Sequence, residues 1–229
     1  MTQTKISIII PVLNEARTIN KVLASLQNTS NIEVIVVDGG SQDETVEIAK
    51  SLAVKVLSSP PGRAIQMNTG AAVATGNILL FLHSDTILPA GFESMVTQAL
   101  KKPETVGGAF ELGIDAKIRG IRLVEKMVNW RSRFLSLPYG DQAIFVKADI
   151  FKELGGFPEL PIMEDFVFIR HLRRMGKIEI LPAPVLTSGR RWQKLGLVKT
   201  TIINQIIIIG YYLGVSPAQL ASFYRKKRK

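Results

Sequence analysis

The sequence of 229 residues contains no cysteine and only two histidines. The lack of cysteine excludes disulfide bonds, thiolate metal sites and a cysteine nucleophile. Two histidines that lie far apart in the sequence do not favour a His-rich zinc centre. The composition is compatible with a reducing compartment, and we expect a cytoplasmic protein.

Several familiar signatures are also missing. No Gly-x-Gly-x-x-Gly follows a predicted strand, and neither Gly-x-x-x-x-Gly-Lys-Ser/Thr nor Gly-x-Ser-x-Gly occurs. These absences argue against a dinucleotide-binding protein, a P-loop enzyme and an α/β-hydrolase. The first residues lack the cleavage pattern of a signal peptide, so we expect none.

The positive charge is concentrated at the end of the chain. Lys and Arg number 29 against 19 Asp and Glu, a net charge of +10, and residues 225–229 are all basic. Such a tail is either a solvated, frayed end or a segment that binds anionic lipid or nucleic acid. Because no nucleic-acid-binding module is recognisable, we expect no nucleic-acid partner.

The first hundred residues alternate between apolar β-branched runs and helical patterns. Ser41 and Glu44 have the spacing of a capping box, which predicts that a helix begins there. Repeated strand–helix units predict an α/β fold with a mainly parallel sheet, flanked by helices, and ligands at the carboxyl ends of its strands. The predicted strands are residues 6–13, 33–37, 54–57 and 77–82, and the predicted helical segments include the face formed by Ile19, Val22, Leu23 and Leu26 and residues 63–74.

The second half is less regular, and its end is unusually apolar. We predict one domain over residues 1–192 and a C-terminal apolar helical appendage with the basic tail over residues 193–229. The uninterrupted apolar run, residues 206–215, is about half of the roughly 20 residues that span a bilayer. It predicts a buried or dimer-interface helix, or alternatively a membrane-surface helix aided by the tail. The other predicted elements are strands at 106–114, 142–147 and 178–181 and helices at 118–135, 149–154 and 164–175.

Polar residues follow the predicted strands where a ligand is expected. Asp38 can accept hydrogen bonds from a ribose or a base, and Gly39 lets the backbone approach a ligand, although an Asx turn explains them equally well. Asp85, with His83 before it, can hold a divalent cation together with phosphate oxygens; the alternatives are a helix N-cap and a structural histidine.

Two further groups carry chemistry. Glu164 and Asp165 open a predicted helix, where they are either ordinary dipole partners or include a general base. Arg63 and the segment 190–192 offer guanidinium groups and a tryptophan ring for a diphosphate donor, or are surface charges.

Taken in order, these segments resemble the family-2 glycosyltransferases of the GT-A fold. The resemblance is carried by IIIPVLNE (8–15), VVDGGSQDET (36–45), GNILLFLHSD (76–85), Met-Glu-Asp (163–165) and Arg-Arg-Trp (190–192). Residues 62–71 and 82–86 are most similar to small bacterial proteins labelled radical-SAM/selenodomain-associated transferase 2.

The resemblance implies transfer of a sugar, with inversion, from a nucleoside-diphosphate-sugar donor to an acceptor hydroxyl. The implied catalytic residues are Asp165, as general base, and Glu164; the implied cofactor-binding residues are Pro11, Glu15, Asp38, Gly39, Arg63, Ser84, Arg191 and Trp192; and the implied metal ligands are Asp85 and His83. His83 replaces the first carboxylate of the family's Asp-x-Asp motif, which leaves Mn²⁺ and Mg²⁺ both open.

The implied acceptor is a glycan, a lipid or a small molecule, and residues 138–142 are expected to border its site. A nucleotidyltransferase is the alternative enzyme, disfavoured because residues 14–17 lack glycine. A non-catalytic protein that binds a membrane surface or a nucleotide is the third interpretation. The apolar C-terminal helix further suggests a homodimer, or peripheral contact with the inner face of a membrane.

Overall fold

Within residues 4–52 and 54–228, which the computed structural model describes, eight strands form one mixed sheet. In chain order they are β1 (Ile6–Val12), β2 (Ile32–Asp38), β3 (Lys55–Ser58), β4 (Ile78–Phe81), β5 (Thr86–Ile87), β6 (Thr105–Asp115), β7 (Ile144–Lys147) and β8 (Lys177–Ser188). Their order across the sheet is β3-β2-β1-β4-β7-β6-β8-β5.

Helices cover both faces of this sheet. They are α1 (Ala16–Leu26), α2 (Thr45–Ser51), α3 (Arg63–Ala72), α4 (Phe92–Leu100), α5 (Ile121–Leu135), α6 (Ala148–Glu153), α7 (Glu164–Met175), α8 (Arg190–Leu195), α9 (Leu197–Tyr212) and α10 (Pro217–Arg228). Along β1, Ile8 and Ile10 pack with α1 and α4, whereas Ile9 packs on the other face with α3 and α7. Because both faces of the strand are buried, its sequence is continuously apolar.

The parallel part of the sheet agrees with the prediction. β1, β2, β3 and β4 pair in parallel, so their carboxyl ends lie along one edge. β7 runs antiparallel between β4 and β6, and β5 runs antiparallel to β8, which makes the complete sheet mixed. The predicted α/β fold is confirmed, and α1 buries the four predicted apolar residues.

The predicted start of α2 is wrong. The helix begins at Thr45, and neither Ser41 nor Glu44 caps it through a side chain. The Ser41 hydroxyl instead accepts the Asn14 N–H (2.8 Å), and the Thr45 hydroxyl accepts the Glu15 N–H (2.8 Å). The Ser41 hydroxyl that suggested a cap, together with that of Thr45, therefore joins the segments after β1 and β2, which are about 30 residues apart in the chain.

β8 is longer than the predicted strand at 178–181. It continues past Pro182 and Pro184 because a register shift between Phe110 and Glu111 of β6 lets Glu111 pair with Pro184. A bulge of this kind accommodates proline in a strand, since the missing N–H falls outside the regular ladder. The extension brings Ser188, at the end of β8, beside the loop after β4.

The C-terminal helices pack against α7. Ile207 of α9 and Leu220 of α10 share a buried cluster with Met163 and Phe166. The basic residues up to position 228 continue α10, and the apolar side of this helix lies in that cluster. The predicted domain boundary at residue 192 lies inside α8 and stays a prediction. Over the described ranges, each helix is too short or too polar to cross a bilayer.

Candidate active site

The loop after β2 is folded around Asp38. This side chain is 6% exposed, and its carboxylate accepts the N–H groups of Gly40 (3.0 Å) and Ser41 (3.1 Å). These two hydrogen bonds are those of an Asx turn, and they fix the conformation of the loop at the carboxyl end of the sheet. A Cβ on Gly39 would lie 3.1 Å from the side chain of Gln66, so only glycine fits there without displacing that side chain.

Gln66 is a site residue that the sequence did not reveal. It is buried on α3, and its amide donates to the carbonyl oxygens of Val12 and Val37, both at 2.8 Å. These bonds join the last residues of β1 and β2, next to Asp38. A polar residue on the otherwise apolar face formed by Ala64 and Met67 is the sequence signal that points to it.

Arg190 joins two of the predicted donor-site carboxylates. Its Nη2 lies 3.0 Å from Glu15 Oε2 and 3.1 Å from Asp85 Oδ2. The arrangement follows from the extended β8, because the Ser188 N–H donates to the Asp85 carbonyl (3.1 Å) and α8 begins two residues later. The three groups lie at the edge where β1 and β4 end. The Arg190 side chain is 50% exposed, and those of Glu15 and Asp85 are 25% and 24% exposed.

The remaining predicted donor residues lie in different surroundings. Arg191 donates to Asn204 of α9 (2.7 Å), and its guanidinium lies 4.7 Å from the ring of Tyr224 on α10. Trp192 packs with residues of α5, Pro11 pairs with β2, and Ser84 is buried beside Asp85. Their roles in donor binding stay predictions.

Asp165 and His83 both lie beside Gly140. Asp165 Oδ2 accepts the Gly140 N–H at 2.6 Å. A Cβ on Gly140 would lie 3.1 Å from Asp165 Oδ2 and 3.1 Å from His83 Nε2. The absence of a side chain at residue 140 thus lets the α7 carboxylate approach the imidazole that follows β4.

Burial shifts the pKa values of two ionisable side chains here, His83 and Glu164, in opposite directions. Burial lowers the pKa of His83 to about 3, and the positive charge of Arg63 acts in the same direction, so the imidazole is neutral at physiological pH. Glu164 is only 4% exposed, and burial together with the charge of Asp165 raises its pKa. Arg63 opposes that shift through an ion pair of 3.4 Å.

Asp141 adds a carboxylate to the same loop. Burial raises its pKa to about 6; the positive charge of Arg131 opposes this rise and the negative charge of Asp165 adds to it. Among the described residues, its Oδ1 is buried and has no hydrogen-bond partner. A buried carboxylate oxygen without a partner is rare in folded proteins, so this position is a candidate for contact with a ligand.

Comparisons with known proteins fit this geometry. The model of a family described as "Glycosyl transferase family 2" matches residues 7–149, more than half of the chain. The chain belongs to this family. The predicted family is therefore confirmed, while the predicted subgroup stays a prediction.

Curated relatives match less than half of the chain. "Uncharacterized glycosyltransferase YibD" of Escherichia coli (strain K12) is 34% identical over 106 residues, 42% of this chain and 31% of that protein. "Glycosyltransferase AglE" of Haloferax volcanii is 40% identical over 91 residues, 35% of this chain and 30% of that protein. The matched segments therefore span less than a third of either relative.

Solved structures of glycosyltransferases share the fold. S. aureus TarS 1-349 in complex with UDP-GlcNAc has a TM-score of 0.67 at 20% identity, over 81% of this chain and 58% of that chain. Glucosyl-3-phosphoglycerate synthase from Mycobacterium tuberculosis, in complex with Mn²⁺, UDP and glucosyl-3-phosphoglycerate, has a TM-score of 0.62 at 22% identity, over 89% and 79%. The predicted GT-A fold is confirmed by these likenesses.

The family implies a divalent cation, and the side chains present fit one that takes most of its ligands from a diphosphate. No group of three or more carboxylate or imidazole side chains able to hold a metal occurs in the part of the chain that the structure describes. Asp85 nevertheless offers a hard oxygen ligand, which is paired with Arg190 in this structure. One carboxylate together with phosphate oxygens suits Mg²⁺ or Mn²⁺, and a neutral imidazole at His83 suits Mn²⁺.

The raised pKa of Asp141 predicts a pH-dependent gain in stability for Asp141→Asn. The folded-state pKa of about 6 exceeds the ordinary value of 3.8, so this carboxyl binds more protons in the native state than in the unfolded state between about pH 4 and 6. Its contribution to stability is present below this window and is lost as the pH rises through it. We expect Asp141→Asn to unfold with a free energy higher by about 2–3 kcal/mol at pH 7.5 and nearly unchanged at pH 4.

Urea denaturation at the two pH values measures this difference. The matched control is Asp115→Asn, which alters an exposed carboxylate outside the site and is expected to change stability by less than about 0.5 kcal/mol. An equal effect of Asp141→Asn at both pH values would contradict the assignment of a raised pKa to Asp141.

Proposed function

We propose that the protein transfers a sugar, with inversion, from a nucleoside-diphosphate-sugar donor to an acceptor hydroxyl, with Asp165 as the general base. The observation that supports the proposal is that Asp165 Oδ2 and His83 Nε2 both lie beside the Cα of Gly140, each 3.1 Å from the point where a Cβ on that residue would lie. The Asp165 carboxylate, on α7, lies beside the loop that contains His83 and Asp85. This loop follows β4, at the edge of the sheet where the family's donor-binding strands end. Base and donor site therefore share one edge of the sheet, as a displacement at the anomeric carbon requires.

The donor half of the proposal uses the ion-paired edge. Asp38 and Glu15 border the nucleotide, and Arg190 and Arg63 contribute positive charge for the diphosphate. Asp85, with His83, would hold a divalent cation. Such a cation neutralises negative charge on a leaving diphosphate. Preorganised charge of this kind lowers the barrier because it needs no rearrangement during the reaction.

The acceptor half assigns different roles to the two carboxylates that open α7. Glu164 is buried and paired with Arg63, which suits a residue that positions the guanidinium. Asp165 is less buried, and each of its oxygens keeps a lone pair beyond the bonds to the N–H groups of Gly140 and Phe166. It accepts the acceptor's hydroxyl proton, while Asp141 offers its unpartnered oxygen to a hydroxyl of either substrate.

The test is the thermal unfolding of the full chain with UDP, GDP, dTDP or CDP, each with and without Mn²⁺. A ligand at a hundredfold excess over its Kd stabilises the native state by about 2.7 kcal/mol. For a chain of this size we expect one nucleotide to raise the Tm by about 5–10 °C, and more with Mn²⁺ than without it. No shift with any of the four would contradict the donor proposal.

The reaction product distinguishes the proposed enzyme from the alternative, a nucleotidyltransferase. A nucleotidyltransferase releases pyrophosphate from a nucleoside triphosphate and a sugar phosphate, whereas the proposed enzyme releases a nucleoside diphosphate. The proposal also includes a cytoplasmic location, with which a chain without cysteine is compatible. The acceptor, among glycans, lipids and small molecules, is identified by the product of transfer.

A further inference from the structure

Helix α5 turns its largest apolar side chains toward solvent. Leu123, Met127, Trp130 and Phe134 are 63%, 56%, 58% and 70% exposed. Their spacing of four, three and four residues places them on one face of the helix, which we call the α5 stripe. The rings of Trp130 and Phe134 lie 5.3 Å apart. Contiguous exposed apolar side chains of this size mark a contact surface more often than scattered ones do.

The opposite face of α5 is partly polar and buried. Glu125 accepts the Ile114 N–H of β6 (2.6 Å), and Asn129 bonds both backbone groups of Leu112 (2.7 and 3.1 Å). Ser132 is fully buried on the same side. A helix selected only for packing would turn its aromatic residues toward the sheet, so the outward stripe requires another explanation.

The exposed charges of α5 are basic. Arg122, Lys126 and Arg133 are exposed, whereas Glu125, the one acidic residue of the helix, is buried. Arg122 is paired with Glu125 and Arg133 with Glu111 of β6, and the helix keeps a net positive charge, with four basic residues against one acidic. Lys117, just before the helix, is also exposed. Aromatic and aliphatic side chains flanked by Lys and Arg are typical of a helix that lies in the interface of an anionic bilayer.

We propose that the α5 stripe is a docking surface for an anionic lipid bilayer. A second copy of the chain is the less favourable occupant, since a two-fold interface over the stripe would set its basic rim against the same basic rim. Anionic headgroups complement that rim, and the acyl chains accept the apolar side chains. The surface carries no catalytic role, so the proposal stands or falls independently of sugar transfer.

The stripe ends next to the candidate active site. The Arg131 guanidinium lies 3.6 Å from the centre of the Tyr139 ring, and Ser132 donates to Gln142 (2.8 Å). These contacts hold the C-terminal turn of α5 against the loop whose Gly140 N–H binds Asp165. Docking through the stripe therefore keeps that loop close to the lipid surface.

Helix α9 offers a second contact. It exposes apolar residues at four- and three-residue spacing, and its N-terminal Leu197 lies against Gly120 at the start of α5. Two weak anchors bind a membrane far more firmly than one. The exposed residues of α9 and the following turn are Val198, Ile202, Ile206, Ile209 and Leu213.

Co-sedimentation of the full chain with vesicles tests the proposal. The vesicles contain phosphatidylcholine alone or with about one-third phosphatidylglycerol, at low and high salt. The test variant is Trp130→Ser/Phe134→Ser, and the matched control, Val73→Ser/Met175→Ser, alters two exposed apolar residues away from the stripe. We expect the anionic-vesicle partition coefficient to fall about tenfold or more in the test variant and to stay unchanged in the control.

Tryptophan emission gives a second readout. The chain has two tryptophans, so Trp192→Phe leaves Trp130 as the reporter. We expect its emission to shift to the blue with anionic vesicles and to stay unshifted with phosphatidylcholine alone.

Three results would overturn the proposal. The first is no binding of the wild-type chain to anionic vesicles, and the second is equal binding of the test variant and the control. The third is a dimer, seen by sedimentation velocity without lipid, that Trp130→Ser/Phe134→Ser dissociates, because the occupant of the stripe is then a second copy. Circular dichroism and the Tm establish that each variant is folded.

Discussion

Asp165→Asn is expected to lower the rate of sugar transfer by about 10²–10⁴-fold, the usual contribution of a positioned general base. The amide has the size of the carboxylate, and its oxygen can still accept the Gly140 N–H that Asp165 Oδ2 accepts at 2.6 Å. It cannot take a proton from the attacking hydroxyl. We therefore expect kcat to fall while the donor's Kd remains close to that of the wild type; the Tm should fall only slightly, because the amide NH2 cannot accept the Phe166 N–H that Asp165 Oδ1 accepts at 2.7 Å.

Glu164→Gln is the informative comparison for that variant. Glu164 lies next to Asp165 in the chain, but it is buried and paired with Arg63 at 3.4 Å. Its loss should alter the position of Arg63 and weaken donor binding more than it lowers kcat. Transfer by Asp165→Asn within a factor of a few of the wild-type rate would remove Asp165 from the role of base, and a larger loss in Glu164→Gln would transfer that role to Glu164.

Asp85→Ala is expected to abolish the Mn²⁺-dependent part of donor binding. The substitution removes the single carboxylate that follows β4, where the side chain now pairs with Arg190 at 3.1 Å. Loss of a supporting residue around a bound metal costs roughly 10–100-fold in affinity, and loss of a ligand should cost at least as much. Titration of the nucleotide that stabilises the wild type, with and without Mn²⁺, measures the change.

Arg190→Ala provides the matched control for this experiment. It removes the other half of the ion pair but keeps the carboxylate, so the enhancement of donor binding by Mn²⁺ should persist. Equal enhancement in Asp85→Ala and the wild type would show that Asp85 is not a metal ligand. Loss of enhancement in Arg190→Ala as well would mean that the intact Glu15–Arg190–Asp85 arrangement is what the donor requires.

Some of the site follows from local patterns. The strands that end near Asp38 and Asp85 are β-branched apolar runs, and parallel pairing puts their carboxyl ends on one edge. Sequence spacing does not predict long-range contacts. The Ser41 hydroxyl, for example, accepts the Asn14 N–H and does not form the predicted helix cap. Local propensity favoured the cap, and the tertiary contact displaced it.

Helix α5 shows why periodicity alone was insufficient. Ile121 and Val124 occupy one face at helical spacing, and Leu123 and Trp130 occupy another. Either face could in principle pack on a sheet, so the sequence does not say which is buried. The decision comes from Glu125 and other polar groups that bond the backbone of β6, a partner that a sequence pattern does not identify.

By itself, the sequence determined the α/β class and the parallel N-terminal half of the sheet, with polar residues after its strands. Continuous apolar runs, the helical patterns between them and the polar residues that follow the strands are local properties. Only the tertiary structure decided that Asp165 and His83 both lie beside Gly140, that Arg190 pairs with Asp85 and Glu15, and that the α5 stripe faces outward. Arg190 lies 105 and 175 residues along the chain from those two carboxylates. Contacts at such separations depend on strand order, the bulge in the β6–β8 pair and the course of the loops, and no short segment of sequence specifies them.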